Sequence, residues 1–172
     1  MSGIQFLKLR FFFRFGSLLR AYSLVGFRPD RDYEYVEINR ILRRLHPEIL
    51  EEVLSGFRGT GSDVGQDDAD QLIVNGEVKA SVVIVRCGST STGLLSWKLR
   101  FDTSLWPDIT IVVRMDPGNR EPLDFFIFPR LDVASQRLKL AEENGLSLDA
   151  YRFESLDYLY EMAAPVRFAE AA

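Results

Sequence analysis

Five short runs of β-branched and aromatic residues lie between residues 71 and 129, and they constrain the fold more than any other feature of the chain. The runs are QLIV, KASVVIVRC, LLSWKLRF, ITIVVRM and LDFFIFP, with turn-forming residues between them. Such runs predict β-strands. Amphipathic helices are predicted before and after the block, so we expect an α+β fold with one five-stranded, mixed or antiparallel sheet and flanking helices.

Composition limits both the number of domains and the kind of metal site. The chain has 172 residues and 47% of them are hydrophobic, which is enough for one compact core. Its single cysteine, Cys87, lies in an apolar strand and is predicted to be buried. No intramolecular disulfide can form, which favours a reducing, cytoplasmic setting. One cysteine and one histidine cannot build the usual zinc site, so any metal would be a hard cation bound by oxygen.

Basic residues are concentrated at the N-terminus. Residues 1–28 carry five basic and no acidic side chains, whereas the whole chain has a net charge of −4. We predict a basic helical arm over residues 1–33 and an α+β domain over residues 34–172. The arm could approach a phosphate backbone; a charged face on a packing helix and a membrane-surface segment explain the same pattern. Arginines interrupt the apolar run FLKLRFFFRFGSLL, so no membrane span is expected.

Two or three short helices are predicted before the strand block. One of them presents Arg40, Arg43 and Arg44 on the face opposite its apolar positions. Pro47 disfavours the helical conformation at His46, so a break is expected there. The three arginines predict DNA contact in a helix-turn-helix-like outline. A helical pair that covers one face of the sheet explains the same apolar positions.

The dipeptide Asn75-Gly76 predicts a tight two-residue hairpin turn of the primed type. The residue pairs that follow from such a turn are Val74–Glu77, Leu72–Lys79 and Asp70–Ser81. This register places the acidic loop GTGSDVGQDDAD at the open end of the hairpin, near Arg86. A loop of this composition is either solvated or a cation site. At the turn itself, Glu77 and Lys79 form an E-x-K tripeptide that we interpret as exposed hairpin residues.

The segment from about Ile38 to Pro129 resembles the PD-(D/E)xK, or restriction-endonuclease-like, nuclease superfamily, in particular its intron-associated and restriction-like branch. The resemblance is carried by the leading helix, the acidic loop, the hairpin LIVNGEVKASVVIVR, and the segments SWKLRF, DITIVVRMD and LDFFIFP. At the end of the hairpin the superfamily carries an acidic residue or glutamine, one spacer and a lysine. In this chain those positions hold Ile84 and Arg86. In addition, LLRAYSLVGFRPDRDY resembles the helical repeats that accompany some homing endonucleases.

This resemblance implies a restriction-endonuclease-like core that binds DNA in a mobile-element or recombination setting. It implies Asp67, Asp68 and Asp70 as ligands of Mg²⁺, and Asp70 and Arg86 as the catalytic pair, with the arginine holding the scissile phosphate. Arginine cannot carry a proton as lysine can, and Ile84 cannot bind a metal. Two outcomes stay open: a divergent magnesium-dependent deoxyribonuclease in which another acid, Glu37, Asp102 or Asp108, completes the site, or a relative that binds DNA without cleaving it.

The strand SWKLRF alternates between apolar and polar residues. Its polar side chains Lys98 and Arg100 are predicted to contact DNA, with Arg86 and Arg114 alongside. Surface salt bridges explain the same charges. The expected partners are DNA and, as an arrangement left open, a second copy of the chain in a homodimer. The second class of function is a non-enzymatic domain whose helices dock a protein.

The C-terminal region is predicted to cover the sheet. Residues 133–143, VASQRLKLAEE, predict a short helix that stops at Asn144-Gly145. A last helix, capped by Ser147 or a neighbour, is predicted through Tyr158 to Ala163. No cofactor motif lies near these segments, so their aromatic residues are interpreted as core.

Overall fold

A computed structural model of the chain describes residues 34–101, 105 and 107–166, together with Leu24 and Gly26. The chain divides into two compact units, residues 1–38 and residues 39–172. The predicted basic arm, residues 1–33, lies outside the described residues except for Leu24 and Gly26. The fold described below is that of the second unit.

Three helices and nine strands make up the described part of the chain. The helices are α1 Glu34–Gly59, α2 Leu146–Asp149 and α3 Asp157–Ala163, and a 3-10 turn spans Arg130–Asp132. The strands are β1 Val64–Gln66, β2 Leu72–Val74, β3 Val78–Val85, β4 Cys87–Ser89, β5 Leu95–Arg100, β6 Ile109–Met115, β7 Pro122–Pro129, β8 Arg137–Ala141 and β9 Arg152–Phe153. All five predicted runs are therefore confirmed as strands.

The strands form two sheets, which we call the large sheet and the small sheet. The large sheet has six strands in the order β1-β2-β3-β6-β7-β9, and the small sheet has three in the order β4-β5-β8. Strands β3 and β6 are parallel and the other neighbours are antiparallel. The α+β class with a mixed sheet is thus confirmed, but the prediction of five strands is wrong. A parallel pair needs a crossover, and β4 and β5 lie within that crossover and leave the large sheet.

The large sheet is the middle layer of the second unit. On one face it packs against the small sheet through a cluster of buried side chains: Val85, Cys87, Trp97, Leu99, Val112, Phe126, Phe128 and Leu140. On the other face it is covered by α1, whose buried residues are Leu42, Ile49, Leu50, Val53, Leu54 and Phe57. Because successive residues of a strand point to opposite faces, each central strand contributes to both layers.

Helix α1 continues through Pro47, and the predicted break at that residue is wrong. A proline inside a helix costs roughly 3 kcal/mol because it removes a hydrogen bond and crowds the preceding turn. The apolar stripe runs across it, from Leu42 before the proline to Ile49 and Leu50 after it, and all three side chains are buried. Packing of this stripe against the sheet outweighs the local preference.

The hairpin between β2 and β3 has the predicted turn but not the predicted register. Asn75 and Gly76 have φ angles of 54° and 69°, and Glu77 N donates to Val74 O at 3.1 Å. Glu77 nevertheless stays outside β3, so Val74 pairs with Val78 and the register moves by one residue. The Asn75 side chain explains this loop, since it accepts from Asp63 N at 3.0 Å and donates to Ala163 O at 2.8 Å. A one-residue shift exchanges the two faces of β3.

Residues 133–143 do not form the predicted helix, because Arg137–Ala141 is strand β8, antiparallel to β5. The alternation of Leu138 and Leu140 with Arg137 and Lys139 has a period of two, which is the period of a strand. Leu140 is fully buried in the cluster between the sheets. Burial of this leucine face against the large sheet decides the structure of the segment.

Cys87 is buried and unpaired, as predicted. Burial raises the pKa of its thiol. The side chain of Asn119 binds the backbone of Cys87 as a neighbouring strand would: Oδ1 accepts from Cys87 N at 2.7 Å and Nδ2 donates to Cys87 O at 3.1 Å. The start of the small sheet is thereby tied to the β6–β7 turn.

Helix α3 packs against α1 at Gly56. The Phe57 and Tyr160 rings meet edge to face with their centroids 5.0 Å apart. Burial raises the pKa of Tyr160 to about 12. A Cβ atom on Gly56 would overlap the Tyr160 ring. This glycine is therefore required by the close approach of the two helices.

We expect Gly56→Ala to destabilise the protein by about 1–3 kcal/mol, because the ring of Tyr160 must move away. In a helix interior this change ordinarily stabilises by about 1 kcal/mol. Gly59→Ala is the matched control, since a Cβ there meets no atom within 4 Å. Urea unfolding of both variants measures the difference. Equal stabilisation by the two substitutions would show that α3 does not pack at Gly56.

Candidate nucleic-acid interface

Residues 67–70, three of which are aspartates, form a tight turn between β1 and β2. Asp67 Oδ1 accepts hydrogen bonds from Ala69 N and Gln71 N, each at 2.9 Å. Asp70 adopts a left-handed conformation with φ of 60°, and its Oδ1 accepts from Gln66 Nε2 at 2.9 Å. Asp67 therefore closes the turn by bonding to its own backbone, a common role for aspartate.

The described carboxylates do not gather as a magnesium site requires. Among the described residues, no three histidine, cysteine, aspartate or glutamate side chains lie close enough to hold a metal ion. Of the three predicted ligands Asp67, Asp68 and Asp70, the last one lines a cleft, and the other two do not. Hard cations such as Mg²⁺ take several oxygen ligands. The magnesium site stays a prediction.

A cleft of about 510 Å³ opens beside Asp70, beyond the end of β5. Ser81 and Val83 of β3 and Thr110 of β6 belong to its lining. The remaining lining residues come from α1, the acidic turn, β3, the end of β5 and the segments that flank β6 and follow β7: His46, Ala69, Asp70, Gln71, Val82, Arg100, Phe101, Leu105, Pro107, Arg130 and Val133. His46 Nε2 lies 3.4 Å from Val82 O, so it is held against the backbone of β3.

The cleft brings Asp70 together with Ser81 and Val83, whereas Arg86 lies outside its lining. Ser81 and Val83 lie on the same face of β3 as Val85, which belongs to the cluster between the two sheets. Arg86 follows β3 and is exposed. Ser81 and Val83 have the same spacing as the acidic residue and the lysine of the superfamily, but their side chains offer a hydroxyl and an isopropyl group. The catalytic pair of Asp70 and Arg86 stays a prediction.

Glu77 and Lys79, the E-x-K tripeptide at the turn, are both exposed, as predicted. Neither residue lines the cleft beside Asp70, and Glu77 borders another cavity, near Phe57 and Met162. The backbone of Lys79 is bound instead by Asp108, whose Oδ2 accepts from Lys79 N at 2.9 Å.

The outer side of the small sheet carries four basic side chains in two like-charged pairs. Lys98 on β5 lies directly opposite Lys139 on β8, and Arg100 lies opposite Arg137. All four residues are exposed. We call them the basic face. Like charges directly opposite each other on antiparallel strands destabilise a sheet, because their Cβ atoms are about 4.5–5.5 Å apart.

No carboxylate of the described residues forms an ion pair with the basic face. The ion pairs of the described part of the chain include those of Arg58, Arg114 and Arg152, and none of them involves the four residues of the basic face. Surface salt bridges, the alternative explanation of Lys98 and Arg100, are therefore absent for the described residues. The positive charge of the basic face is uncompensated by its described neighbours.

The alternation of the two strands is what exposes the basic face. Trp97 and Leu99 of β5 and Leu140 of β8 are buried in the cluster between the sheets. Their sequence neighbours must then point outward. The exposure of Lys98 and Arg100 is confirmed. Arg137 and Lys139 were missed because their segment was predicted as a helix; the alternating R-L-K-L pattern is the signal that could have found them.

The sequence predicted that Arg114 lies beside the basic face, and this prediction is wrong. Arg114 is buried between the two sheets. Its Nε donates to Asp124 Oδ1 at 2.7 Å and its Nη2 donates to Asp124 Oδ2 at 2.5 Å. Its Nη1 donates to Ala141 O, and its guanidinium lies 4.2 Å from the centre of the Trp97 ring. Arg152 Nε also donates to Asp124 Oδ2, at 2.8 Å. Through the bond of Arg114 to Ala141 O, the Arg114–Asp124 pair joins the small sheet to the large one.

Arg40, Arg43 and Arg44 are exposed on α1. Helix α1 covers the face of the large sheet opposite to the small sheet. The two groups of predicted DNA-contacting residues therefore lie in different layers of the fold. In the part of the chain that the structure describes, no helix is long and apolar enough to cross a membrane.

Comparison with known proteins gives one likeness. No protein-family profile matches the chain, and no curated protein matches it in sequence. The solved structure of a bacterial homing endonuclease, I-Ssp6803I, aligns with 68% of this chain and 89% of its own, with a TM-score of 0.42 and 15% sequence identity.

Proposed function

We propose that this protein binds DNA through the basic face and does not cleave it. The observation that carries the proposal is the presence of two like-charged residue pairs across adjacent strands, Lys98 with Lys139 and Arg100 with Arg137. Such pairs weaken a sheet, and a bound polyanion relieves the repulsion. The resemblance of the segment from Ile38 to Pro129 to a nuclease superfamily selects DNA among polyanions. A mobile-element or recombination setting rests on that resemblance alone.

The absence of cleavage is argued from the lining of the cleft. Metal-assisted phosphodiester hydrolysis needs carboxylates that converge on one or two metal ions and a cation that holds the scissile phosphate. In the cleft, Asp70 is the sole carboxylate among the described lining residues. Arg100 and Arg130 bring cations to the lining, but Ser81 and Val83 supply neither a second carboxylate nor an ammonium group. The described residues of the cleft do not fit a magnesium-dependent nuclease.

Salt dependence of DNA affinity tests the binding proposal. If the basic face neutralises four phosphates, the logarithm of the association constant falls with the logarithm of salt with a slope of about −3.6, so that affinity drops roughly 100-fold between about 50 and 200 mM salt. Substitution of all four residues by alanine is expected to bring the slope close to zero. Fluorescence anisotropy of a labelled duplex measures both. Absence of binding at low salt would instead favour the protein-interaction class.

Plasmid nicking in the presence of Mg²⁺ tests the absence of cleavage. We expect the wild-type protein and Asp70→Ala to leave supercoiled plasmid equally intact. The control is Glu77→Ala, a change at an exposed hairpin residue that does not line the cleft. Nicking by the wild type that is lost in Asp70→Ala and retained in Glu77→Ala would overturn this part of the proposal and restore the predicted magnesium site.

A further inference from the structure

We propose that the cleft beside Asp70 receives one unstacked base of a bound strand, so that the protein prefers single-stranded or locally unpaired DNA to a regular duplex. This inference rests on the proposed DNA binding by the basic face. Arg100 connects the two, because it belongs to the basic face and also lines the cleft. A phosphate held by Arg100 therefore lies at the rim of the cleft, and the attached nucleotide can turn inward.

The size and walls of the cleft suit a base. Its volume of about 510 Å³ falls within the 300–1,000 Å³ that is typical of small-molecule sites. Val83, Phe101 and Val133 give it apolar walls. Phe101 is held by Phe128, edge to face, with ring centroids 5.7 Å apart. Flat bases bind well against such side chains, whereas a doubly charged phosphate would lose its hydration there.

Two hydroxyl groups in the cleft are open to a ligand. Ser81 and Thr110 both line it, and their side chains make no hydrogen bond with any residue that the structure describes. Thr110 is only 6% exposed, yet its oxygen is not sealed from solvent, since no buried side-chain oxygen or nitrogen of the described residues lacks a partner. The hydroxyls and the Asp70 carboxylate can bond to the edge of a base.

The preference for unpaired DNA follows from the cost of reaching the cleft. A base in a duplex must be unstacked and unpaired before it can enter, at a cost of a few kcal/mol, whereas a base in a single strand is already accessible. Electrostatics alone works in the other direction, because the salt slope per phosphate is about −0.9 for duplex DNA and about −0.7 for single strands. A single-strand preference would therefore report on the cleft and not on the basic face.

The test compares the affinities of a single-stranded oligonucleotide and its duplex at the same salt concentration. We expect the wild type to bind the single strand at least about tenfold more tightly. Ser81→Leu, which fills the cleft, is expected to bring the ratio close to one and to leave duplex affinity and salt slope unchanged. Ser147→Leu is the matched control, because Ser147 is exposed on α2 and does not line the cleft. Thermal unfolding establishes that each variant is folded.

Thr110→Val provides a second variant of nearly unchanged shape, which removes one hydroxyl and is expected to lower single-strand affinity several-fold. A wild-type ratio of one or less, or a ratio that survives both Ser81→Leu and Thr110→Val, overturns the inference while DNA binding by the basic face stands. If neither form of DNA binds the wild type, the proposed function itself fails. The two failures are therefore distinct.

Discussion

Replacement of Asp124 by alanine is expected to reduce the free energy of unfolding by about 3–5 kcal/mol, the loss typical of breaking a buried ion pair. The Arg114 and Asp124 side chains are 1% and 4% exposed and form two parallel hydrogen bonds. Without the carboxylate, the guanidinium would stay buried with its charge uncompensated. Urea unfolding followed by tryptophan fluorescence measures the loss, since Trp97 lies against Arg114.

Two further variants give this prediction its controls. Arg152→Ala removes the other cation that contacts Asp124. The Arg152 side chain is 37% exposed, so this variant is expected to lose less than about 1 kcal/mol of the free energy of unfolding. The double variant Arg114→Met with Asp124→Leu replaces the pair by apolar groups and is expected to be more stable than Asp124→Ala alone. A loss below about 1 kcal/mol for Asp124→Ala would contradict the buried pair.

The strands were predictable because their signal is local. Alternation of apolar residues in β5 and the apolar run of β6 are visible within six or seven residues, and the structure confirms both. Helix α1 was predicted as helical segments but not in its continuity, because a rule for Pro47 is local whereas the packing that overrides it is not. The error of register has the same origin in contacts distant in sequence, whereas β8 was missed although its alternating R-L-K-L pattern is local.

The hairpin shows how a correct turn can still give a wrong register. The left-handed conformations of Asn75 and Gly76 follow from the residue types. The length of the loop depends on Asp63 and Ala163, which bind the Asn75 side chain from 12 and 88 residues away. With this shift of one residue, the predicted pairs Val74–Glu77 and Leu72–Lys79 were replaced by Val74–Val78 and Leu72–Ala80.

Two of the four residues of the basic face were predicted from the sequence. The buried ion pair was not predicted, although the sequence contains a pattern that indicates it. Lys98 and Arg100 follow from the alternation of one strand, whereas Arg137 and Lys139 become their neighbours only through the pairing of β5 with β8. Arg114 and Asp124 are single charges of opposite sign in two consecutive apolar strands and are directly paired across them. That pattern favours a buried salt bridge over two surface charges.

The double variant Arg137→Glu with Lys139→Glu is expected to separate DNA binding from stability. Each like-charged cross-strand pair becomes an oppositely charged one, which is worth about 0.2–1 kcal/mol per pair in a sheet, so the variant should unfold at higher urea. At the same time two phosphate contacts are lost and two negative charges face the DNA. Affinity for DNA at low salt is expected to fall at least about 100-fold.

The matched control is the double variant Lys79→Glu with Arg120→Glu, which changes the net charge equally at two exposed residues outside the small sheet. It is expected to lower DNA affinity far less, because a charge on the protein acts on the DNA phosphates only within about a Debye length. An equal loss in both variants would assign the effect to net charge and contradict the basic face. Higher stability together with lost binding would instead show that the sheet keeps repulsive pairs for the sake of a polyanion, as surfaces built for binding commonly do.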